Sequence, residues 1–158
     1  MPELDPVTRL LAIEEIKQLK GRYFRFMDTK DWAGLQTIFC DDAVFDARAS
    51  FSIDGQGEDG RAAASNDWIY EGGQVIADFI RGAAGTSRTV HHGHCHEIEI
   101  LSETEARGVI AMEDQIWNAD GTVVTLHGCG HYHETYRRAD GQWRIHTSRI
   151  TRLQVALG

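Results

Sequence analysis

The chain has 158 residues, of which 42% are hydrophobic and 25% charged, and this length and composition predict one globular domain over 1–158. Sixteen basic and twenty-four acidic residues give a formal net charge of -8, which makes nucleic acid and anionic membrane surfaces poor partners. No apolar run has membrane-spanning length, the N-terminus has no basic signal segment, and the three separated cysteines form no CxxC, so we expect a cytoplasmic protein with reduced thiols.

The first predicted element is a long amphipathic helix over residues 5–28. Asp5 is a suitable N-cap, and Pro6 suits the first helical position, where its missing N–H costs nothing. Apolar residues recur at three- and four-residue spacing along this segment, and the charged residues between them, Lys20 included, are assigned to the solvent side.

A second short helix capped by Asp31 and a strand over 43–46 follow. Residues 47–72 are rich in turn formers and are predicted to be a lid or an insertion, in which Trp68 begins a short strand or anchors the lid. A helix is predicted over 73–83.

From residue 88 onwards the apolar period changes to two. Two Asp-Gly pairs are strong hairpin signals, and helices followed by a strand meander indicate the α+β class, with the helices packed on one face of a curved antiparallel sheet. The predicted strands cover 88–101, 106–117, 122–137 and 142–155.

The first candidate catalytic residue along the chain is Asp28, at the end of the first predicted helix. It is either a turn residue between two helices or a carboxylate that orients a histidine inside a cavity. The candidate histidines lie on the first strand of the meander, where alternation places His91 on one face and His92, His94 and His96 on the other. The later isoleucines favour the His92 face for the interior, whereas a bulge at Gly93 would switch the faces, so periodicity does not decide between His91 and His92.

The alternating histidines also raise the question of a metal. Ligands at i and i+4 on one extended strand are too far apart to converge on an ion. His127, His131 and His133 share a face of a later strand and form a second loose set, with polar sheet-face positions as the alternative. The sequence therefore predicts no metal site, and in the absence of a glycine-rich phosphate loop followed by a helix it predicts no cofactor.

Two further polar candidates lie on later strands. Asp114 shares its parity with apolar residues of the same strand. If that face points inward, burial favours the protonated carboxyl and makes Asp114 a proton donor. If the face points outward, Asp114 lies on a sheet surface used for dimerisation. Arg149 shares parity with Trp143 and Ile145 and either completes a pocket or is solvated.

Aromatic and apolar residues that could form pocket walls suggest a small hydrophobic substrate, although each of them could equally belong to the core. They are Tyr23, Phe26, Met27, Trp68, Phe79 and Trp117. Exposed apolar residues on both faces of the predicted sheet suggest a homo-oligomer, a dimer or a trimer.

Three segments carry a resemblance to a known family. Residues 27–32 (MDTKDW), 89–93 (TVHHG) and 136–143 (YRRADGQW) resemble the SnoaL-like branch of the nuclear-transport-factor-2-like superfamily, in particular scytalone dehydratase and hexachlorocyclohexane dehydrochlorinase. The resemblance covers most of the chain. It implies a cystatin-like fold in which helices and sheet enclose a conical apolar cavity.

By this resemblance Asp28 and His91 take the places of the family's catalytic acid–histidine dyad. The set of Tyr23, Asp28, Asp114 and Arg149 resembles that of bile-acid 7α-dehydratase. The implied activity is a cofactor-independent elimination on a hydrophobic, steroid- or polyketide-like molecule. The alternatives are an isomerase or cyclase with the same dyad, and a non-catalytic binding or dimerisation domain.

The chain departs from scytalone dehydratase at three points. That family has a tyrosine where this chain has Met27 and another near Ala47, and no histidine occurs near 112–114, where the second catalytic histidine would fall. Scytalone itself is therefore not the expected substrate.

Overall fold

A computed structural model describes residues 4–50 and 67–158, and within them the helices precede the strand meander as the sequence predicts. The elements in chain order are α1 Pro6–Asp28, α2 Trp32–Thr37, β1 Phe39–Asp46, β2 Ile69–Glu71, α3 Gly73–Ala84, β3 Arg88–Ile100, β4 Glu105–Trp117, β5 Val124–Ala139 and β6 Gln142–Leu157.

Helix α1 begins as expected. The Asp5 carboxylate accepts hydrogen bonds from the backbone N–H groups of Val7 and Thr8, and Pro6 occupies the first turn. The assignment of Lys20 to the solvent side is wrong, because its side chain is fully buried beneath the sheet.

The sheet is open, and its strand order is β2-β1-β6-β5-β4-β3. Consecutive neighbours in the meander are antiparallel, but β1 and β6 run parallel. The expectation of a wholly antiparallel sheet is therefore corrected to a mixed one. The reason is topological: β6 returns to pair with β1, a strand from the first part of the chain, rather than with a hairpin partner.

Two of the irregularities in strand pairing decide which candidate site residues face the helices. In β3 the register shifts between His94 and Glu97, where Cys95 has a φ of 43°. In the β5–β6 ladder a shift occurs between the pairs Thr135–Thr147 and Tyr136–Ile145. One extra residue in a strand reverses the alternation beyond it, so parity read across either point assigns side chains to the wrong face.

The core lies between the helices and the inner face of the sheet. Its fully buried aliphatic residues come from α1, α2, α3, β4 and β6: Ile16, Leu19, Leu35, Ile76, Ile110 and Ile145. Their burial supplies the apolar driving force that holds the helices on the sheet.

Part of the predicted 47–72 lid or insertion falls outside the described residues, namely 51–66. At its end, residues 69–71 form β2, so the short-strand alternative holds there. Strand β1 begins at Phe39, four residues earlier than the predicted 43. None of the helices in the described ranges has the length and apolar character needed to cross a lipid bilayer.

Candidate active site

Asp28 and His91 are in direct contact. Nδ1 of His91 lies 2.6 Å from Oδ1 of Asp28, and the backbone N–H of His91 donates to Oδ2 at 2.9 Å. The His91 side chain is 6% exposed and that of Asp28 21%. A carboxylate at Nδ1 fixes the imidazole tautomer and stabilises the imidazolium, and it leaves Nε2 as the nitrogen that can meet a ligand.

Thr89 and Lys30 hold the Asp28 carboxylate in place. The Thr89 hydroxyl donates to Asp28 Oδ1 at 2.9 Å and accepts from Lys30 Nζ at 3.1 Å, while the same ammonium donates to the carbonyl of Ala84 at 2.9 Å. Lys30 has a φ of 63°, the left-handed conformation that lets the chain turn sharply after α1. Burial lowers the pKa of Lys30, and the negative charge of Asp28 opposes that shift.

His91, and not His92, faces the interior. The β3 bulge at Cys95 reverses the alternation, so that His91 on one side of it and the later isoleucines on the other all face inward. His96, predicted to share a face with His92, is instead partly buried, whereas His92 and His94 are exposed. The bulge that the sequence allowed at Gly93 lies instead at Cys95, two residues later.

Gly93 has a different role, which is to allow α1 to approach the strand. A Cβ at this position would lie 2.6 Å from Cε2 of Phe24, so only glycine fits without a shift of that ring. The Phe24 ring in turn stacks on the His91 imidazole with a centroid separation of 6.2 Å and an interplanar angle of 6°. Gly93 and Phe24 together therefore bring α1 close to the imidazole of His91.

His91, but not Asp28, lines a cavity of about 440 Å³ between the helices and the sheet. This is within the range of about 300–1,000 Å³ that is typical of small-molecule sites. Tyr23, Met27, Trp68, Phe79, His91 and Asp114, all predicted from the sequence, line it together. The remaining large aromatic and aliphatic wall residues are Phe45, Ile80, Ile116, Leu126, Tyr132, Ile150 and Leu157.

Asp114 is buried in the cavity wall and paired with Arg152. Both guanidinium terminal nitrogens donate to the carboxylate, at 2.7 and 2.8 Å, and Nε donates to the carbonyl of Ser50. Burial acts against the charge of Arg152, but the hydrogen bond and charge of Asp114 outweigh it and raise the pKa of Arg152. Gly128, directly across from Asp114, has no side chain to displace the pair, since a Cβ there would lie 2.7 Å from Oδ1.

Arg152 was missed by sequence reasoning, which named Arg149. Arg149 was named because it shares parity with Trp143 and Ile145. The register shift in β6 reverses the alternation after Ile145. Ser148, Ile150 and Arg152 therefore face inward, and Arg149 does not. Arg149 lies on the other face of the sheet, in a groove beside His133 and Thr147. No sequence signal marks the shift.

Two other predicted wall residues do not reach the cavity. Phe26 packs beside α2, where a Cβ on Gly34 would touch its ring, and the Arg25 guanidinium lies 4.5 Å from its centroid. Trp117, at the end of β4, is paired with Arg88 and Val124.

A second buried polar cluster lies beneath Tyr23. Lys20 Nζ donates to Glu134 at 2.6 Å and lies 4.0 Å from the Tyr23 ring centroid and 3.5 Å from that of Tyr132. The hydroxyls of Tyr136 and Ser148 also donate to Glu134. Burial lowers the pKa of Lys20 against the opposing effect of Glu134, and burial raises the pKa of Tyr23 well above its usual range, so Tyr23 keeps its proton.

The outer face of the sheet carries His92, His94, His127, His131 and His133. Among the described residues, one group with metal-ligand chemistry has converging side chains, and it consists of Glu113, His127 and Cys129. Within the same ranges, the sets predicted from the sequence do not converge in this way. His92 and His94 lie outward while His96 lies inward, and His133 donates to or accepts from Thr151.

Comparison with known proteins identifies the family of the chain. Residues 8–149 match the model of the SnoaL-like domain. The chain belongs to the SnoaL-like domain family.

Solved structures share the fold at low sequence identity. A putative scytalone dehydratase from Novosphingobium aromaticivorans is 19% identical, with a TM-score of 0.77 over 96% of this chain and 90% of that one. Hexachlorocyclohexane dehydrochlorinase LinA-type3 from Novosphingobium barchaimii is 17% identical, with a TM-score of 0.73 over 96% and 93%. Rv3472, a protein of unknown function from Mycobacterium tuberculosis whose structure is that of a substituted variant, is 24% identical, with a TM-score of 0.69 over 91% and 77%.

Proposed function

We propose that the chain is a cofactor-independent lyase that eliminates water or halide from a small hydrophobic molecule. The observation that carries the proposal is the 2.6 Å contact between His91 Nδ1 and Asp28 Oδ1 at the wall of a cavity of about 440 Å³. A binding domain needs a cavity, but it has no need of a carboxylate that fixes the tautomer of a cavity histidine.

His91 acts as the base. Because Asp28 occupies Nδ1, Nε2 carries the lone pair that removes a proton from a substrate carbon acidified by a neighbouring carbonyl or by the leaving group. Asp28 stabilises the imidazolium that forms. General base catalysis of this kind contributes about 10²–10⁴-fold, and fixed orientation of the substrate in the cavity adds to it.

Tyr23 assists the leaving group. Its hydroxyl is buried in the cavity wall and keeps its proton, so it donates a hydrogen bond to the departing hydroxyl or halide as the C–O or C–halogen bond breaks and the C=C bond forms. The proton that His91 has taken leaves with the leaving group as water or hydrogen halide, which restores the neutral imidazole. No redox partner or cofactor enters this balance.

Asp114 has a positioning role in this scheme. Both of its oxygens accept N–H groups from Arg152, which suits an acceptor rather than the proton donor expected from the sequence. The pair presents fixed polar groups in an otherwise apolar wall, where they can orient a carbonyl or hydroxyl of the substrate. The aromatic lining favours a cyclic substrate of steroid- or polyketide-like shape, as do the dehydratase and dehydrochlorinase named among the structural neighbours.

Product mass tests the proposal directly. The protein is incubated with a panel of β-hydroxy carbonyl and halogenated alicyclic compounds, and the products are followed by mass spectrometry. We expect a product lighter by one water or one hydrogen halide. An unchanged product mass with a new retention time supports the isomerase or cyclase alternative, and binding without turnover supports the non-catalytic alternative.

Two single substitutions distinguish loss of the catalytic base from loss of the fold. His91→Ala should abolish turnover while the melting temperature stays near that of the parent, because the imidazole is needed for proton removal. His92→Ala is the matched control: it removes the adjacent histidine, which faces away from the cavity. Turnover retained in His91→Ala would contradict the mechanism.

We also propose that the protein is a homo-oligomer, a dimer or a trimer. Large apolar side chains on β3, β5 and β6 are exposed: Val90, Val124 and Leu153. Such residues are costly to leave in water when they lie close together. The mass from light scattering tests this, and a monomer mass at micromolar concentration contradicts it.

A further inference from the structure

The outer face of the sheet holds three side chains with different metal-binding chemistry at one point. The ligand atoms of Glu113, His127 and Cys129 all lie within 4.8 Å of one another. Glu113 and Cys129 are direct cross-strand partners in the β4–β5 ladder, and His127 is two residues before Cys129 on the same face. This convergence follows from regular antiparallel pairing, in which opposed and diagonal side chains meet.

The cluster is separate from the dyad. Glu113 and Asp114 are consecutive on β4 and point to opposite faces, so Asp114 lines the cavity and Glu113 lies outside it. The sheet itself stands between the two sites. Nothing in the proposed elimination chemistry uses Glu113, His127 or Cys129.

Two of the three groups are already held near each other. Nε2 of His127 lies 2.7 Å from Oε1 of Glu113, and Cys129 is a free thiol. The side chains of His127 and Glu113 are 44% and 37% exposed, so an ion from solvent can reach them. Convergence before binding reduces the ordering cost that flexible surface ligands would otherwise incur.

We propose that Glu113, His127 and Cys129 form a binding site for a zinc-type divalent cation. One thiolate, one imidazole and one carboxylate are the three ligand types that zinc accepts in tetrahedral sites, and a soft sulfur ligand disfavours magnesium and calcium. Three protein ligands leave the fourth position to water. Cys129 binds as the thiolate and releases its proton to solvent.

A further imidazole on the outer face is that of His92. It is the direct cross-strand partner of Glu113 on the β3 side and shares the outer face. His92 therefore lies on the side of Glu113 opposite Cys129, where a change of rotamer would be needed to bring it to the ion. The site is defined by the three converging groups without it.

Cobalt(II) provides a spectroscopic test that does not depend on activity. Titration of the reduced, metal-free full chain with cobalt(II) should produce a near-ultraviolet thiolate-to-cobalt charge-transfer band that saturates at one ion per chain. Zinc should displace the cobalt and remove the band. Calorimetric titration with zinc should give the same stoichiometry, and magnesium should give no measurable binding under the same conditions.

Matched variants identify the ligands. Cys129→Ser should abolish the charge-transfer band, and Glu113→Gln and His127→Ala should each weaken zinc binding at least about tenfold, since even loss of a supporting outer-sphere group costs about 10–100-fold. Cys95→Ser removes another exposed thiol, and His146→Ala removes another histidine that faces a carboxylate, that of Asp42. Both control variants should bind as the parent does.

The proposal is overturned by any of three results: no saturable binding at one ion per chain, a charge-transfer band that persists in Cys129→Ser, or a control variant that weakens binding as much as the ligand variants. Because the readout is the ion itself, these results are independent of whether the chain catalyses elimination.

Discussion

Asp28 binds His91 through both carboxylate oxygens, one to the imidazole Nδ1 at 2.6 Å and the other to the backbone N–H of the same residue at 2.9 Å. The backbone bond ties the end of α1 to β3, and the side-chain bond sets the direction of the imidazole. One carboxylate therefore joins two elements of the fold and also orients the candidate base. The orientation of the imidazole therefore depends on the position of β3 relative to α1 as well as on the rotamer of His91.

Loss of the Asp28 charge should reduce activity more than stability. Asp28→Asn retains a side chain of the same shape but cannot stabilise an imidazolium, so we expect kcat to fall by about 10²–10⁴-fold. Steady-state kinetics on the substrate found by mass screening, together with thermal melting, measure the two effects. Asp31→Asn is the control, because Asn replaces Asp well as an N-cap and Asp31 caps α2. Equal losses of kcat in both variants would contradict a specific role for Asp28.

Substitution of Arg152 should weaken substrate binding, whereas substitution of Arg149 should not. Arg152→Lys keeps a positive charge but loses the two parallel hydrogen bonds to Asp114, so we expect weaker substrate binding and a higher KM. Arg149→Lys, on the outer face, should change neither kcat nor KM. If Arg149→Lys raised KM as much as Arg152→Lys, the assignment of Arg152 to the cavity wall would be wrong.

Lys20 should be important for stability despite its charge. Lys20→Met leaves Glu134 buried without its cation, and breaking such a pair costs about 3–5 kcal/mol of unfolding free energy. The comparison is Arg107→Ala, which breaks an exposed pair with Glu99 and should cost about 0.2–1 kcal/mol. Urea denaturation measures both. A loss below about 1 kcal/mol in Lys20→Met would show that the tyrosine and serine hydroxyls suffice to hold Glu134.

Two glycine-to-alanine substitutions should have opposite signs. Gly93→Ala forces a Cβ against Phe24, and overpacking of this kind costs about 1–3 kcal/mol and disturbs the ring that stacks on His91. Gly21→Ala, inside α1 with nothing within 4 Å of the added Cβ, should stabilise the protein by about 0.5–1 kcal/mol. Chemical denaturation measures both, and Gly93→Ala with unchanged stability would show that Phe24 shifts freely.

Stability should fall as the pH is lowered below the usual range of histidine. Burial lowers the pKa of His96 and of His133, so the folded protein binds fewer protons than the unfolded chain between that lowered pKa and the unfolded value of about 6.5. Unfolding free energy therefore rises with pH through this window and is lost as the pH falls through it. Melting temperatures between pH 7 and pH 5 measure the effect.

The contribution of His96 can be isolated by substitution. His96→Gln keeps a polar side chain that does not titrate, so the loss of stability on acidification should be smaller in this variant than in the parent. His92→Gln, which alters an exposed histidine, should leave the pH dependence as it is. An identical pH profile in His96→Gln and the parent would contradict the assignment.

The local elements and the dyad were predictable from the sequence because their signals are local or lie in short motifs. The α1 cap at Asp5, the helical spacing that follows it and the Asp-Gly hairpins are each determined within a few residues. The segments around Asp28 and His91 carry the family resemblance, which pairs these two residues, and their side chains are in contact in the fold.

Tertiary structure decided which side chains face the cavity. The sequence predicted alternation correctly within each regular stretch, but a single extra residue at Cys95 in β3 and another shift in β6 reverse it, which brings Arg152 inward in place of Arg149. Bulges of this kind are set by the pairing of distant strands and leave no local signal. The parallel pairing of β1 with β6 and the burial of Lys20 against Glu134 likewise depend on residues far apart in the chain, because each requires a partner that only the folded sheet brings near.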